Sequence, residues 1–202
     1  NEVRNIRFKK IVQSITYMPH FISMVVIAGL VIDFTSSNGA INTILDFFGQ
    51  ERIQFLIEPE WFRPVYIISA IWQEIGWGSI IYLAALAGID AELYEAAVID
   101  GAGRWRQAIS VTLPCIAPTI IILLILKIGQ MMNVGVEKIL LLYRSTTYET
   151  ADVISSYVYR RGMIEMQYSF STAVGLFNSI INFTLLVSAN WLSRKFSETS
   201  LW

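Results

Sequence analysis

Four long stretches almost free of charged side chains constrain this chain more than any other feature of its sequence. A helix that crosses the ~30 Å hydrocarbon core of a bilayer needs about 20 apolar residues. One stretch, 64–89, contains Glu74 as its only charged residue. The other three contain no Asp, Glu, Lys or Arg over 22, 20 and 28 residues, and they are 11–32, 107–126 and 166–193.

The alternative to a membrane protein is a soluble domain with four buried helices. Such helices carry a polar stripe with a period of 3.6 residues, and 119–126, which reads TIIILLIL, has none. Only 15% of the residues are charged, against about 25% in soluble domains. We therefore predict an all-α polytopic membrane helix bundle that forms a single transmembrane domain over 1–202. Its four spans are expected at about 13–33, 65–88, 113–134 and 170–192.

The distribution of Lys and Arg predicts the orientation of these spans. If the spans alternate in direction, eight cations lie on the side of both chain ends and of loop 89–112, and six lie on the side of loops 34–64 and 137–169. Positive charge close to the spans marks the cytoplasmic side. Loop 89–112 is therefore predicted to be cytoplasmic and the two longer loops external. The cations on the cytoplasmic side are Arg4, Arg7, Lys9, Lys10, Arg104, Arg106, Arg194 and Lys195.

Several functional classes are excluded by simple counts. The net charge of −1 argues against a nucleic-acid partner, which needs a basic surface. Cys115 is the only cysteine and His20 the only histidine, so neither an internal disulfide nor a histidine metal cluster can form. The sequence lacks a phosphate-binding loop, an H-E-x-x-H motif and a G-x-S-x-G motif. We expect no catalytic residue, no metal ligand and no nucleotide site in this chain.

Loop 89–112 has the pattern of two short helices separated by glycines. Asp90 is a suitable N-cap, and 91–100 consist of strong helix formers. Gly101 and Gly103 should end this helix, and 104–111 can begin a second one that leads into the third span. The small side chains in the first helix allow a second surface to approach it closely.

The same loop carries a spaced motif. Glu95-Ala96-Ala97, three residues, Gly101, nine residues, Val111, one residue and Leu113-Pro114 resemble the EAA motif of the permease subunits of ABC importers. The motif has isoleucine where this chain has Val111. Asp100 and Ala102 extend the match to the D-G-A often found in the permeases for oligosaccharides and polysaccharides.

The resemblance implies a function and a set of partners. The loop helix would be the coupling helix that docks on an ABC ATPase subunit, through Glu95, Ala96, Ala97, Asp100, Gly101, Leu113 and Pro114. The partners would be a second related permease, two ATPase subunits that bind ATP and Mg²⁺, and an extracytoplasmic binding protein. A carbohydrate would be imported across the bacterial cytoplasmic (inner) membrane. Such permeases usually have about six spans, so one or two N-terminal spans are expected to be missing here.

Polar side chains inside the spans are the candidates for the substrate path. Charges in a membrane segment are costly, and aromatic, amide and acidic groups suit sugars. The alternative for the amides is hydrogen bonding between helices. Lys127 could instead extend to the interface or pair with Glu74. The candidates are Trp72, Gln73, Glu74, Lys127, Gln130, Asn133 and Asn178.

A second class of function stays open at this point. An ion-gradient-driven secondary transporter could use Glu74 and Lys127 as its ion or proton relay. The EAA motif would then have no purpose. A membrane-embedded enzyme is a third alternative, for which the sequence offers no catalytic cluster.

Overall fold

The computed structural model describes residues 5–196 and 200–201, and all regular elements among them are helical. Arg4, one of the cations used to orient the chain, lies outside the described residues. The α-helices are α1 (Ile6–Tyr17), α2 (Met24–Thr35), α3 (Ala40–Phe47), α4 (Pro59–Ala87), α5 (Ala91–Ile99), α6 (Arg104–Gln107), α7 (Leu113–Gly129), α8 (Val136–Leu142), α9 (Tyr148–Ala151), α10 (Ile154–Tyr159) and α11 (Tyr168–Phe196).

The chain forms two compact units, which we describe separately. Of the described residues, the first unit contains 5–77 and 133–175, and the second contains 78–132, 176–196 and 200–201. Helices α4 and α11 each contribute to both units. Among the described residues, four segments are long and apolar enough to cross a membrane, in agreement with the predicted number. They are Met24–Phe47, Pro59–Ala87, Arg104–Gly129 and Tyr168–Lys195.

The core of the first unit forms where α2 packs against α8. Helix α2 contributes Ile27, Ala28 and Val31, and α8 supplies two apolar side chains that are almost completely buried. The cluster is completed by one residue before α4, one near the start of α4 and one in α9. Its members are Ile27, Ala28, Val31, Leu56, Phe62, Ile139, Leu142 and Ala151.

The first predicted span, 13–33, differs most from the structure. A single kinked helix was expected there, but α1 ends at Tyr17 and a 3₁₀ turn follows over Met18–Phe21. Ser23 adopts an extended conformation and caps α2, because its hydroxyl accepts a hydrogen bond from the Val26 amide at 3.4 Å. Pro19 therefore lies in a break between two helices and not at a bend within one.

A second interruption divides the apolar segment Met24–Phe47 into α2 and α3. The chain turns over Ser36–Gly39, and a Cβ atom on Gly39 would lie 2.3 Å from the Asp33 carbonyl oxygen. The fully buried Asn42 side chain holds this turn by donating to the carbonyls of Ser36 and Ile53, each at 2.9 Å, and by accepting from the Ile53 amide. At about 1.5 Å per residue, the 12 residues of α2 are about 18 Å long.

The second span contains a close helix–helix contact within the first unit. Gly76 of α4 lies against the backbone of α1, where a Cβ atom would come within 1.9 Å of the Thr16 carbonyl oxygen. Only glycine fits at this distance. The buried residues Phe62, Ser69, Gln73 and Gly76 recur at intervals of seven, four and three, so one stripe of α4 faces the first unit.

In the second unit, α7 packs against α11. Gly129 permits this approach, since a Cβ atom there would lie 2.7 Å from Cδ1 of Leu186. The Met132 amide, just beyond the end of α7, donates to Oδ1 of Asn182 at 3.3 Å. Asn190 is buried and accepts from the Leu201 amide at 2.8 Å. These asparagines satisfy backbone groups at chain ends and turns.

The third helix begins earlier and ends earlier than the predicted span 113–134. It is continuous from Arg104 through α6, a π-helical turn at Ala108–Thr112 and α7, and it ends at Gly129. Pro114 therefore lies inside a continuous helix. The π-helical turn accommodates it: the Leu113 amide donates to the Ala108 carbonyl, five residues earlier, next to the amide that proline lacks.

Candidate functional site

Loop 89–112 lies entirely in the second unit and begins with the predicted cap. Oδ1 of Asp90 accepts a hydrogen bond from the Glu92 amide at 3.0 Å, and Asp90 has the extended conformation of an N-cap. Helix α5 then runs from Ala91 to Ile99, one residue shorter than the prediction. Glu95, Ala96 and Ala97 occupy its middle turn.

The end of α5 explains the spacing between the alanines and the glycine. Gly101 adopts a left-handed φ of +74°, and its amide donates to the Val98 carbonyl at 2.9 Å. The Ala102 amide donates to the Ala97 carbonyl, also at 2.9 Å. This pair of bonds is a Schellman motif, which needs a residue without a Cβ atom four positions after Ala97. The predicted glycine stop is confirmed.

Two side chains hold α5 against the helix that follows it. The Tyr94 hydroxyl and the Thr112 hydroxyl are 2.9 Å apart, which joins α5 to the π-helical turn. Nε2 of Gln107 donates to the Ala102 carbonyl at 2.7 Å and fixes the glycine turn. Leu113 and Pro114 follow the π-helical turn directly, so both halves of the spaced motif lie in one hydrogen-bonded hairpin.

This hairpin exposes apolar side chains. Helix α5 has no buried residue, and Ile99 is 86% exposed at its end. Trp105, the second residue of α6, is 82% exposed, and Val98 and Ile109 are exposed as well. Large apolar groups clustered on an outward surface are typical of a surface that binds another protein.

Three of the substrate-path candidates lie next to one another on α4, but their surroundings differ. Gln73 belongs to the buried stripe of the helix. Trp72 is exposed and lines an apolar cavity of about 440 Å³ in the first unit, together with Trp61 and Ser69. Glu74 points away from the stripe, and its side chain is more than half exposed.

Three of the other candidates were expected inside the third span, 113–134. Lys127 is exposed on the last turn of α7, but Gln130 follows the helix end and Asn133 lies in the loop beyond it. The position of Gln130 and Asn133 beyond the helix is a correction to the prediction. Asn178 is half-buried on α11.

Glu74 has a partner that the sequence did not indicate. Its Oε2 lies 3.4 Å from Nδ1 of His20, and the His20 ring stacks on Trp77 with centroids 4.5 Å apart and planes 2° apart. His20 follows Pro19 in the break between α1 and α2, consistent with a packing role. A relay between Glu74 and Lys127 gains no support, because the contact of Glu74 is made with His20.

Lys138 is the residue that the sequence analysis missed. It lies on α8 inside the loop predicted to be external, but its side chain is only 3% exposed. Nζ lies 5.5 Å from the centroid of the Tyr66 ring. Burial lowers the pKa of the Lys138 ammonium to about 8, and the negative charge of Glu74 only partly opposes this. A single charged residue in a loop gave no signal of burial.

A compact ion pair lies near Lys138 in the same unit. Nη2 of Arg160 contacts Oδ2 of Asp152 at 2.5 Å, and the Ser156 hydroxyl donates to Oδ1. Burial alone would raise the pKa of the Asp152 carboxyl, but these hydrogen bonds outweigh it, so the pKa is lowered. The Arg160 guanidinium also stacks over the Tyr148 ring at 4.6 Å.

Comparison with known proteins identifies the family. A family model described as "binding-protein-dependent transport system inner membrane component" matches residues 2–198. The polygalacturonan/rhamnogalacturonan transport system permease protein YteP of Bacillus subtilis (strain 168) is 47% identical over 203 residues, which covers 100% of this chain and 63% of YteP. Protein LplB of the same organism is 44% identical over 202 residues, covering 100% of this chain and 64% of LplB.

A solved structure has the same fold. In the crystal structure of a bacterial alginate ABC transporter in complex with an alginate pentasaccharide-bound periplasmic protein, one chain matches with a TM-score of 0.96 and 49% identity, covering 99% of this chain and 70% of that chain. The present chain spans less than two thirds of the length of YteP and LplB. Its family and its four apolar segments place it in the bacterial cytoplasmic membrane. The chain belongs to the binding-protein-dependent inner membrane components, the permease family of ABC importers.

Proposed function

We propose that this chain is a permease subunit of an ATP-driven importer for oligosaccharides or fragments of polysaccharides. Its partners would be a second related permease, two ABC ATPase subunits and an extracytoplasmic binding protein. ATP and Mg²⁺ would be held by the ATPase subunits. This chain would transmit movement and bind sugar, and it would not hydrolyse ATP itself.

The exposed hairpin of loop 89–112 carries this proposal. Helix α5 is fixed by a cap at its start, by a Schellman motif at its end and by the Tyr94–Thr112 contact, yet none of its residues is buried. A short helix that is held so firmly and exposes Val98 and Ile99 is suited to bind a groove on another protein.

The mechanism follows from the rigidity of this connection. When two ATPase subunits close on ATP, a docked α5 moves with them. Because α5 is hydrogen-bonded to the π-helical turn, the displacement passes to the helix that continues to Gly129. The spans would then exchange an inward-facing for an outward-facing arrangement. ATP binding favours one of the two states through its differential affinity, as alternating access requires.

The sugar specificity rests on the relatives. YteP is named for a polygalacturonan/rhamnogalacturonan transport system, and two similar solved structures are of alginate importers. We therefore infer an oligosaccharide substrate for the importer to which this chain contributes. Trp72, Gln73, Glu74, Lys127, Gln130, Asn133 and Asn178 stay candidates for its path.

The test is to reconstitute the complete transporter in proteoliposomes and to measure both oligosaccharide uptake and ATP hydrolysis stimulated by the binding protein. Glu95→Arg and Ile99→Asn alter exposed positions on α5, so folding should be preserved. We expect uptake to fall at least tenfold while the ATPase subunits hydrolyse ATP without responding to the binding protein.

Glu92→Gln is the matched control, because Glu92 is also exposed on α5 but lies in its first turn, outside the spaced motif. It should keep uptake within about twofold of the wild type. Uptake at the wild-type level in both Glu95→Arg and Ile99→Asn would refute the docking role of α5.

A further inference from the structure

The buried ammonium group of Lys138 lacks a counter-ion at contact distance. Nζ is inaccessible to solvent, and it has no hydrogen-bond partner in the part of the chain that the structure describes. Burial of a charge is costly unless the charge is paired, so buried lysines normally contact a carboxylate or several oxygen atoms. An unpaired lysine that is 97% buried therefore indicates a binding partner absent from the chain itself.

The neighbouring charges do not supply this partner. Glu74 is the carboxylate whose field acts on Lys138, but its Oε2 is directed to His20 at 3.4 Å. Asp152, in the same unit, is held by Arg160 and Ser156. Each of these acids thus has a closer partner, and the charge of Lys138 stays available.

A cavity lined by two neighbours of Lys138, Tyr66 and Ile139, gives a ligand a place to bind. It has a volume of about 220 Å³, and its lining includes Tyr66, whose ring lies beside Nζ, and Ile139, which follows Lys138 on α8. Arg63 also lines it and is positive, whereas the negative charge of Asp152 is neutralised by Arg160. The electrostatic character of this cavity is therefore positive.

We propose that Lys138 and Tyr66 form a subsite for an acidic sugar residue, in which the lysine binds the carboxylate of a uronate and the tyrosine ring stacks on the sugar face. The lysine stem has four rotatable bonds, so a modest rotation brings Nζ from the Tyr66 ring towards the cavity. A charge-assisted hydrogen bond then forms where the ammonium had no partner. This inference rests on the proposed function and assigns the substrate class as acidic oligosaccharides.

The experiment uses the complete transporter in proteoliposomes with trigalacturonate and an alginate trisaccharide as probes. Lys138→Met removes the charge at nearly constant volume, and it should fold because it eliminates a buried unpaired ammonium. Lys138→Arg keeps the charge. We expect Lys138→Met to raise the KM for at least one probe about tenfold or more, with a smaller change in kcat, and Lys138→Arg to stay within about threefold of the wild type.

The controls separate charge from packing. Lys10→Met removes an exposed cation on α1 and should leave KM unchanged. Lys138→Gln supplies the uncharged variant if Lys138→Met does not assemble. A wild-type KM in the uncharged variant would overturn the subsite, and so would an equal loss in Lys138→Met and Lys138→Arg. If the wild-type transporter takes up no oligosaccharide at all, the proposed function fails. Normal uptake with an unaltered KM in Lys138→Met refutes the subsite alone.

Discussion

The amide of Ala102 donates a hydrogen bond of 2.9 Å to the carbonyl of Ala97, and this bond closes the C-terminal end of α5. The bond exists because Gly101, between them, adopts a φ of +74°. The geometry of the hairpin formed by α5 and the helix after it therefore depends on one residue that has no side chain.

Gly101→Ala should weaken this end of the helix. A Cβ atom in the left-handed region costs about 1–2 kcal/mol, so the terminal turn of α5 should fray. We expect faster hydrogen exchange at the amides of Asp100 to Ala102 and a severalfold loss of uptake. Gly103→Ser is the control, because Gly103 has a φ of −68° at the N-cap of α6 and open space around it. Equal exchange in the two variants would contradict the role of Gly101.

Tyr94→Phe should loosen α5 without removing its packing. The substitution deletes the hydroxyl that lies 2.9 Å from Thr112, a contact worth about 0.5–1.5 kcal/mol. Amide exchange across Ala91–Ile99 should rise, whereas exchange in α7 should not. Thr112→Val removes the other partner and should give a similar effect, and the double variant should add little to either. Additive effects would show that the two hydroxyls act independently.

Gly76→Ala should be among the most damaging single-methyl changes in the chain. The new Cβ atom would lie 1.9 Å from the Thr16 carbonyl oxygen, which forces α1 and α4 apart. We expect a loss of several degrees in the thermal midpoint in detergent, or no assembled protein. Gly78→Ala, two residues later in α4, meets no atom within 4 Å and should be neutral or stabilising by up to about 1 kcal/mol. Similar midpoints for both variants would refute the contact.

The lowered pKa of Lys138 predicts a pH dependence of stability. A lysine with a pKa of about 8 in the folded protein and 10.5 when unfolded binds fewer protons in the folded state between these values. Stability should therefore rise with pH from about 8 to 10.5 and stay lower below pH 8, with a total change of at most about 3 kcal/mol.

Thermal unfolding in detergent between pH 7 and pH 10.5 measures this effect. Lys138→Met should flatten the rise, and its stability at pH 7 should equal or exceed that of the wild type. An unchanged slope in this variant would assign the pH dependence to other groups.

Local hydrogen-bonding rules account for what could be predicted from the sequence. The Asp90 cap, the helix over 91–99 and the glycine stop each depend on residues within five positions of one another. The number of apolar segments follows from the absence of charge. These helices and the number of apolar segments could be predicted without knowing how the rest of the chain packs.

Packing between distant residues accounts for the differences between the predicted and the observed structure. The break at Ser23 lies within the uncharged stretch 11–32, where hydropathy cannot separate one helix from two. The burial of Lys138 depends on α8 packing against α2, more than a hundred residues earlier. Gln130 and Asn133 lie outside the third span because its helix ends at Gly129, which packs against Leu186.

The π-helical turn at Ala108–Thr112 lies inside a helix that runs for 26 residues from Arg104 to Gly129, about 39 Å at 1.5 Å per residue. Each residue in such a helix rotates its neighbours by about 100° around the axis. Shortening the turn by one residue would thus swing Trp105, which precedes it, around the axis by more than a quarter of a revolution, while the part of the helix after the turn stayed where it is. The surplus residue sets the azimuth of the exposed hairpin face relative to the apolar segment that follows.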